Sequence, residues 1–491
     1  MKTKLGLIVL AAFGVVMVAG CPTFPNECDY GACDGGALDG KIPLDGTLPE
    51  TGIPDARPDA DPIPTDCTTP TDPVKNPETC LVDTFGVFVS PTGNDGDAGT
   101  KAKPFKTIRK ALGTSRTRIV VCEGEYAGSL EVARGVEIYS GVTCDFSKAG
   151  GKAKIVASKP AYGVKVAKVS DAVILADLEI VGMNGAAPSE SSVGVFVSES
   201  SNVKIARSKI EAGDGADAPP KKDGAFVMPA SAPRGGDVAT GVGTQPGLNG
   251  PCPGGGTANG GKGGGPGDQG DDGTPRPPGG LKGAIAACGA GGTGGDGDPG
   301  IAGAIRAGAS SVGSLVGDAF MGARGQDGAS GAVGGGGGGG FGTAGSGGGG
   351  GAGGCGGQGG FGGNAGGSSL SLASFNSTVA LEGVDLIAKG AKPGAAGGAG
   401  QSAQDGGFGG LQTGGACSGG RGAKGGSGGG GGGGAGGIAV GIAWAGGKEP
   451  TRDAATKITR PTGAAPLGGE GGAGATNKGV DGVHADVFEV K

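Results

Sequence analysis

Large aromatic side chains are scarce: one tryptophan, four tyrosines and 14 phenylalanines make up only 4% of 491 residues. A conventional thick core over the whole chain is excluded, and any core must be small or thin. Histidine occurs once, at His484, and no Cys-x-x-Cys is present, so the sequence assigns no metal site and no cofactor. Long apolar runs are also missing. The longest, Leu5 to Val18, falls short of the roughly 20 residues that a spanning helix needs. A basic excess is lacking too: the formal charge is −6, which excludes the electrostatic footprint of a nucleic-acid binder. What the chain has instead is glycine, 123 of them.

Lys2 and Lys4 precede the Leu5 to Val18 run, which ends in Val18-Ala19-Gly20-Cys21. This resembles a bacterial lipoprotein signal peptide over residues 1–20, with the Cys21 thiolate as acceptor of the lipid. The resemblance implies a membrane partner reached through an N-terminal lipid and a place in the cell envelope. Pro22 follows the cysteine, so the aspartate that retains some lipoproteins in the inner membrane is missing, which favours the outer membrane or cell surface. Removing Lys2 and Lys4 with the leader moves the charge from −6 to −8. Residues 21–80 then read as a tether: between Asp34 and Asp66 eight acids face only Lys41 and Arg57, without apolar periodicity.

Eleven cysteines less Cys21 leave ten, an even number in an exported chain, so disulfides are the expected use. Connectivity is not set by the sequence. Pairing nearest neighbours would join Cys28 with Cys33, Cys67 with Cys80, Cys122 with Cys144, Cys252 with Cys288 and Cys355 with Cys417.

Residues 163–213 contain one pattern twice. Val164, Val166, Val173, Leu175 and Ile180 are echoed about 30 residues later by Val195, Val197, Val203, Ile205 and Ile210. Each piece alternates apolar and polar residues, as half-buried strands do. A fixed period of this size predicts a solenoid, with equivalent residues stacked at about 4.8 Å. Lys168 then falls over Glu199, Asp177 over Arg207 and Glu179 over Lys209, three opposite-charge pairs that support the register.

Upstream, Val89-Ser90-Pro91-Thr92-Gly93-Asn94-Asp95 leads into Gly99-Thr100-Lys101-Ala102-Lys103-Pro104-Phe105-Lys106-Thr107-Ile108 and Leu112. This stretch resembles the amino-terminal signature of DUF1565-type right-handed parallel β-helix proteins, shared by some β-helical polysaccharide lyases. Pro104 suits a helix start, and Phe105, Ile108 and Leu112 share a helical face fit to cap a solenoid. Asn94, Asp95 and Asp97 fit an Asx-bonded turn better than a cation site. The resemblance also implies a Cys122–Cys144 bridge pinning the first full coil. The expected fold is all-β: a right-handed parallel β-helix over residues 81–491, with a short capping helix and long glycine-rich insertions.

Leu370, Leu372, Val379, Leu381 and Leu386 reproduce the repeat, and a weaker coil is expected around Val312, Leu315 and Phe320. Further strands are expected from Gly437 to Ile442 and from Val480 to Val490. The insertions cover about 214–300, 323–367, 391–436 and 462–478 and leave from one corner, so they form a fringe. Two states fit them. Glycine loses much entropy on ordering, which favours disorder. Gly353 to Asn364 has a three-residue glycine period, which instead suits extended polyproline-II-like segments lying side by side.

Catalytic motifs are weak. Gly425 to Gly429 fits G-x-S-x-G without a strand-to-helix elbow, Gly256 to Lys262 is a failed P-loop, and Gly291 to Asp296 is half of a calcium nonapeptide. Asp177, Glu179, Glu211 and Asp214 are the acids that a β-helical lyase or glycosidase would use, and Trp444 is a candidate sugar platform; packing is the plainer role for Trp444. No catalytic residue is assigned. The expected function is a lipid-anchored envelope protein with a structural or adhesive role, its partners envelope polysaccharide or neighbouring surface proteins. A carbohydrate-active or polysaccharide-binding β-helix is the alternative.

Overall fold

The computed structural model describes residues 74–491, apart from 222–223, 238–242, 276–279 and 413. Its strands wind into a parallel β-helix with three faces. The first face holds Val87–Val89, Arg118–Cys122, Val136–Val142, Val173–Ala176, Val203–Ala206, Val379–Glu382 and Thr451–Arg452. The second holds Gly124–Ala127, Ala153–Val156, Leu178–Val181, Lys209–Glu211, Asp385–Ile387 and Lys457–Thr459. The third holds Leu130–Val132, Val164–Ala167, Ser192–Ser198, Ser369–Phe375, Ala439–Ala445 and His484–Glu489.

The register follows the sequence repeat: Val164 pairs with Val195, Val173 with Val203 and Ile180 with Ile210. Inward residues of all three faces form one core that includes Val166, Leu175, Ile205, Leu372 and Ile442. Corners stack as well. Lys168, Glu199 and Asn376 have φ of 58°, 47° and 48°, and Gly446 continues the line at 61°. L-residues avoid this region, so the coils hold these backbones in place, and Gly446 meets the same demand without a Cβ.

The cap is a short helix, Ile108–Leu112, whose N-cap is Thr107 rather than a start at Pro104. Ile108, Ala111 and Phe105 are buried against the first coil, and Phe105 bridges Val89 as an extended residue. Of residues 74–80, read from sequence as the end of the tether, Val74, Pro77 and Cys80 are buried instead. Val74, Leu81, Phe85 and Phe146 pack on the outward side chains Phe88 and Tyr139 of the first face.

The expected coil around Val312, Leu315 and Phe320 does not form. Gly313–Val316 and Ala319–Gly322 make an antiparallel hairpin. Leu315 and Phe320 pack on Tyr162, Val193 and Phe196, outside the third face. This explains why Ser192–Ser198 is buried on both sides. The apolar spacing resembled a coil because the hairpin also buries alternate residues.

Candidate functional site

Insertions leave after the second-face strands ending at Glu211, Ile387 and Thr459 and re-enter the third face at Ser369, Ala439 and His484. They are ordered as a bundle of extended rods running out and back. Rod 346–367 lies inside, and 323–342 and 415–437 flank it with one edge partly exposed; 226–237, 243–250, 256–266, 268–275, 280–286, 291–309, 390–411, 464–473 and 477–483 complete the bundle. Backbone hydrogen bonds recur every third residue. Gly325, Gly328, Gly331 and Gly334 donate to Gly363, Gly360, Gly357 and Gly354 at 2.7–2.9 Å. Three residues per turn is the polyproline II period, and at about 3.1 Å per residue the longer rods reach about 60–70 Å.

Glycine is needed here for approach. Among the bundle's described glycines, positive φ is confined to turns such as Gly255, Gly267, Gly291, Gly414 and Gly474. A Cβ on Gly350 would fall on the Gly337 carbonyl, and one on Gly357 on the Gln401 carbonyl. The bare Cα–H groups touch these oxygens and add weak C–H···O contacts. Outer rods turn one row of side chains to solvent: Pro393, Ala396, Ala399, Ser402, Asp405, Phe408 and Leu411 are all exposed, three residues apart.

Disulfides staple rods to one another. Cys252 joins Cys355 and Cys288 joins Cys417, so nearest-neighbour pairing fails for these four. Partners are set by adjacency in the bundle, where rods distant in sequence touch. Cys122 joins Cys144 on the first coil. Cys80 is disulfide-bonded; Cys21, Cys28, Cys33 and Cys67 lie outside the described residues.

The candidate acids are paired with cations or with backbone. Asp177 accepts two hydrogen bonds from Arg207, at 2.9 and 2.6 Å. Lys209 Nζ lies 3.0 Å from Glu179 and 3.3 Å from Glu211, and Lys389 Nζ lies 2.7 Å from Glu211. The Lys389 hydrogen bond does most to hold the Glu211 carboxyl below its usual value, with Lys209 adding to it against the opposing effect of burial. The Glu179 hydrogen bond chiefly raises Lys209. Asp214 accepts from the Gly390 amide at 2.8 Å. Lys168 and Glu199 stack at their corner without an ion pair.

The ladder is longer than the repeat alone shows. On the second face Glu125, Lys154, Glu179, Lys209, Asp385 and Lys457 stand in successive register, alternating in sign from coil to coil. Only the middle pair lies within the 30-residue repeat of residues 163–213; the other members sit in coils where the apolar spacing departs from it or an insertion intervenes.

Other candidates have local duties. His484 Nδ1 lies 3.1 Å from the Gly463 carbonyl. Trp444 is half-buried in register with Ser374 and Val197. Asp296 accepts a hydrogen bond from the Arg421 amide at 2.6 Å, and Ser427 stands on the exposed side of a straight rod. Asn94 closes an Asx turn with Gly96, while Asp95 accepts from the Lys106 and Thr107 amides and the Thr107 hydroxyl. Among the described residues no cluster of His, Cys, Asp or Glu is arranged to hold a metal ion, and no helix is long and apolar enough to cross a membrane.

No curated protein and no solved structure matches this chain. Residues 91–218, which span the cap and the coils preceding the first long insertion, match the family described as Protein of unknown function (DUF1565).

Proposed function

We propose that this chain is a lipid-anchored bacterial cell-envelope protein, placed at the outer membrane or cell surface, whose β-helix carries the glycine bundle as a non-catalytic structural or adhesive element. The observation that carries the reading is the bundle itself: long rods returned to one corner and stapled by Cys252–Cys355 and Cys288–Cys417. Such disulfides suit an exported protein. The Leu5 to Val18 run and Cys21 supply the anchor. Asp177, Glu179 and Glu211 already serve the charge ladder, so the carbohydrate-active alternative gains no support from them.

The test is metabolic labelling with a fatty-acid analogue in a bacterial host, followed by fractionation. The wild-type chain takes label and sediments with the envelope, and Cys21→Ser takes none and is released. An unlabelled wild-type chain, or equal retention of Cys21→Ser, refutes the anchor. New reducing ends or unsaturated products from a polysaccharide panel would refute the non-catalytic reading.

A further inference from the structure

Rod 464–473 lies in the groove between rods 390–411 and 415–437, and its bonding follows a simple rule. Gly394 and Gly397 donate to the Leu467 and Glu470 carbonyls at 2.9 and 2.8 Å, and Gly469 and Gly472 donate to the Gly434 and Gly431 carbonyls at 2.8 Å. One wall of the groove thus gives N–H groups and the other gives carbonyls, each at three-residue steps. The rod then turns back near Gly474, but the groove continues. Further out, the N–H groups of Gly400, Ala403 and Gly406 and the carbonyls of Gly422, Gly425 and Gly428 occupy the same positions in the repeat and have no hydrogen-bond partner among the described residues. Backbone polar groups are normally satisfied within a fold, so a row of complementary open ones is a template.

We infer that this open groove binds an extended polypeptide of repeating x-Gly-Gly sequence, which docks as one more rod and continues the line of 464–473. The glycines are required because the resident rod has them where it meets both walls: Gly468 and Gly469 are buried, while Leu467 and Glu470 face solvent. A Cβ on Gly469 would fall on the Ala395 carbonyl. The same face of a second copy does not fit, since the ridges that flank the groove carry Arg421, Lys424, Asp405 and Phe408 instead of glycine. Acidic residues at x suit the groove. Its walls are bridged by the Lys424–Asp405 ion pair at 3.0 Å and by Arg421 over the Phe408 ring at 4.2 Å. The Arg421 guanidinium has no carboxylate partner among the described residues. An exposed pair of this kind is worth at most about 1 kcal/mol, so an incoming chain displaces it readily. The mode is the three-fold counterpart of strand addition to a sheet edge. It does not depend on the lipid anchor.

The test uses the full chain in detergent and a labelled (Glu-Gly-Gly)4 peptide. Saturable binding is expected, with amide exchange at Gly400, Ala403 and Gly406 slowed at least tenfold. Ser427→Trp, on one exposed ridge, weakens binding at least tenfold; Ser402→Trp on the other ridge does the same and serves if the first variant misfolds. Thr257→Trp, exposed on rod 256–266, which shares no backbone hydrogen bond with either wall, leaves binding unchanged. Absence of saturable binding, unslowed amides, or equal binding of (Glu-Ala-Ala)4 overturns the proposal, the last by reducing it to charge alone. Protection that appears without peptide and rises with chain concentration assigns the groove to a second copy and also overturns it.

Discussion

Replacing Gly350 with alanine measures what holds the bundle together. Gly350 lies in an inner rod, where a new Cβ falls on the Gly337 carbonyl and close to the Gly261 amide. Those groups hold the lattice: Gly350 donates to Gly261, Gly261 to Gly337 and Gly337 to Gly351, at 2.8, 2.8 and 2.9 Å. Moving the rods apart to admit a methyl weakens two or three such bonds, each worth about 0.5–1.5 kcal/mol net. Overpacking adds about 1–3 kcal/mol, and the smaller entropy of unfolded alanine returns about 0.4–1 kcal/mol. The expected net loss is about 1–7 kcal/mol, confined to the bundle. Gly463 is the control, because nothing lies within 4 Å of a Cβ there; Gly463→Ala should be neutral or slightly stabilising. Hydrogen exchange read at individual amides, with limited proteolysis under oxidising conditions, separates bundle from β-helix. Exchange at Gly337 and Gly351 should speed up in Gly350→Ala while the Val195 and Ile205 amides stay protected. If Gly350→Ala behaves like Gly463→Ala, close approach is not what the glycines provide.

Three other outcomes are expected. Replacing Cys252 and Cys355 with alanine opens a link across 103 residues, against 22 for Cys122 and Cys144. Chain-entropy estimates of about 4.7 and 3.4 kcal/mol make the first loss the larger in thermal melts, and the reverse order would count against the pairing. Lys209→Glu sets an acid beside Glu179, Glu211 and Asp385 and should cost about 1 kcal/mol in denaturant titration, recovered on acidification. Glu211 has a folded pKa below its ordinary 4.5, so its contribution is full above pH 4.5 and is lost as pH falls through the folded value. Lys389→Ala should shrink that acid-side loss, and an unchanged stability profile below pH 4.5 would argue against the Lys389 contact.

The β-helix was legible because neighbours in a solenoid lie one coil apart in sequence, so Val164, Val195 and Leu372 declare their stacking by position. The insertions were legible only in part. Outer rods show a three-residue rhythm, as from Pro393 to Leu411, because one side faces water. The inner rod 346–367 is enclosed along its length and needs glycine nearly throughout, so only its Gly353 to Asn364 stretch keeps a legible period. Disulfide partners were hidden for the same reason: Cys288 meets Cys417 through lattice position, which no local spacing encodes. The open groove was invisible too, since its chemistry belongs to main-chain atoms that every residue shares.

The three-fold screw of the rods restricts how such insertions can change length. Adding three residues to an outbound rod and three to its returning neighbour lengthens both by about 9 Å and leaves every side chain in phase. Deleting one residue at Gly400 instead rotates everything beyond it by about 120°, swinging Ser402, Asp405 and Phe408 toward neighbouring glycines. The bundle therefore tolerates growth in triplets and rejects single steps, while the β-helix corner that launches it need not change at all.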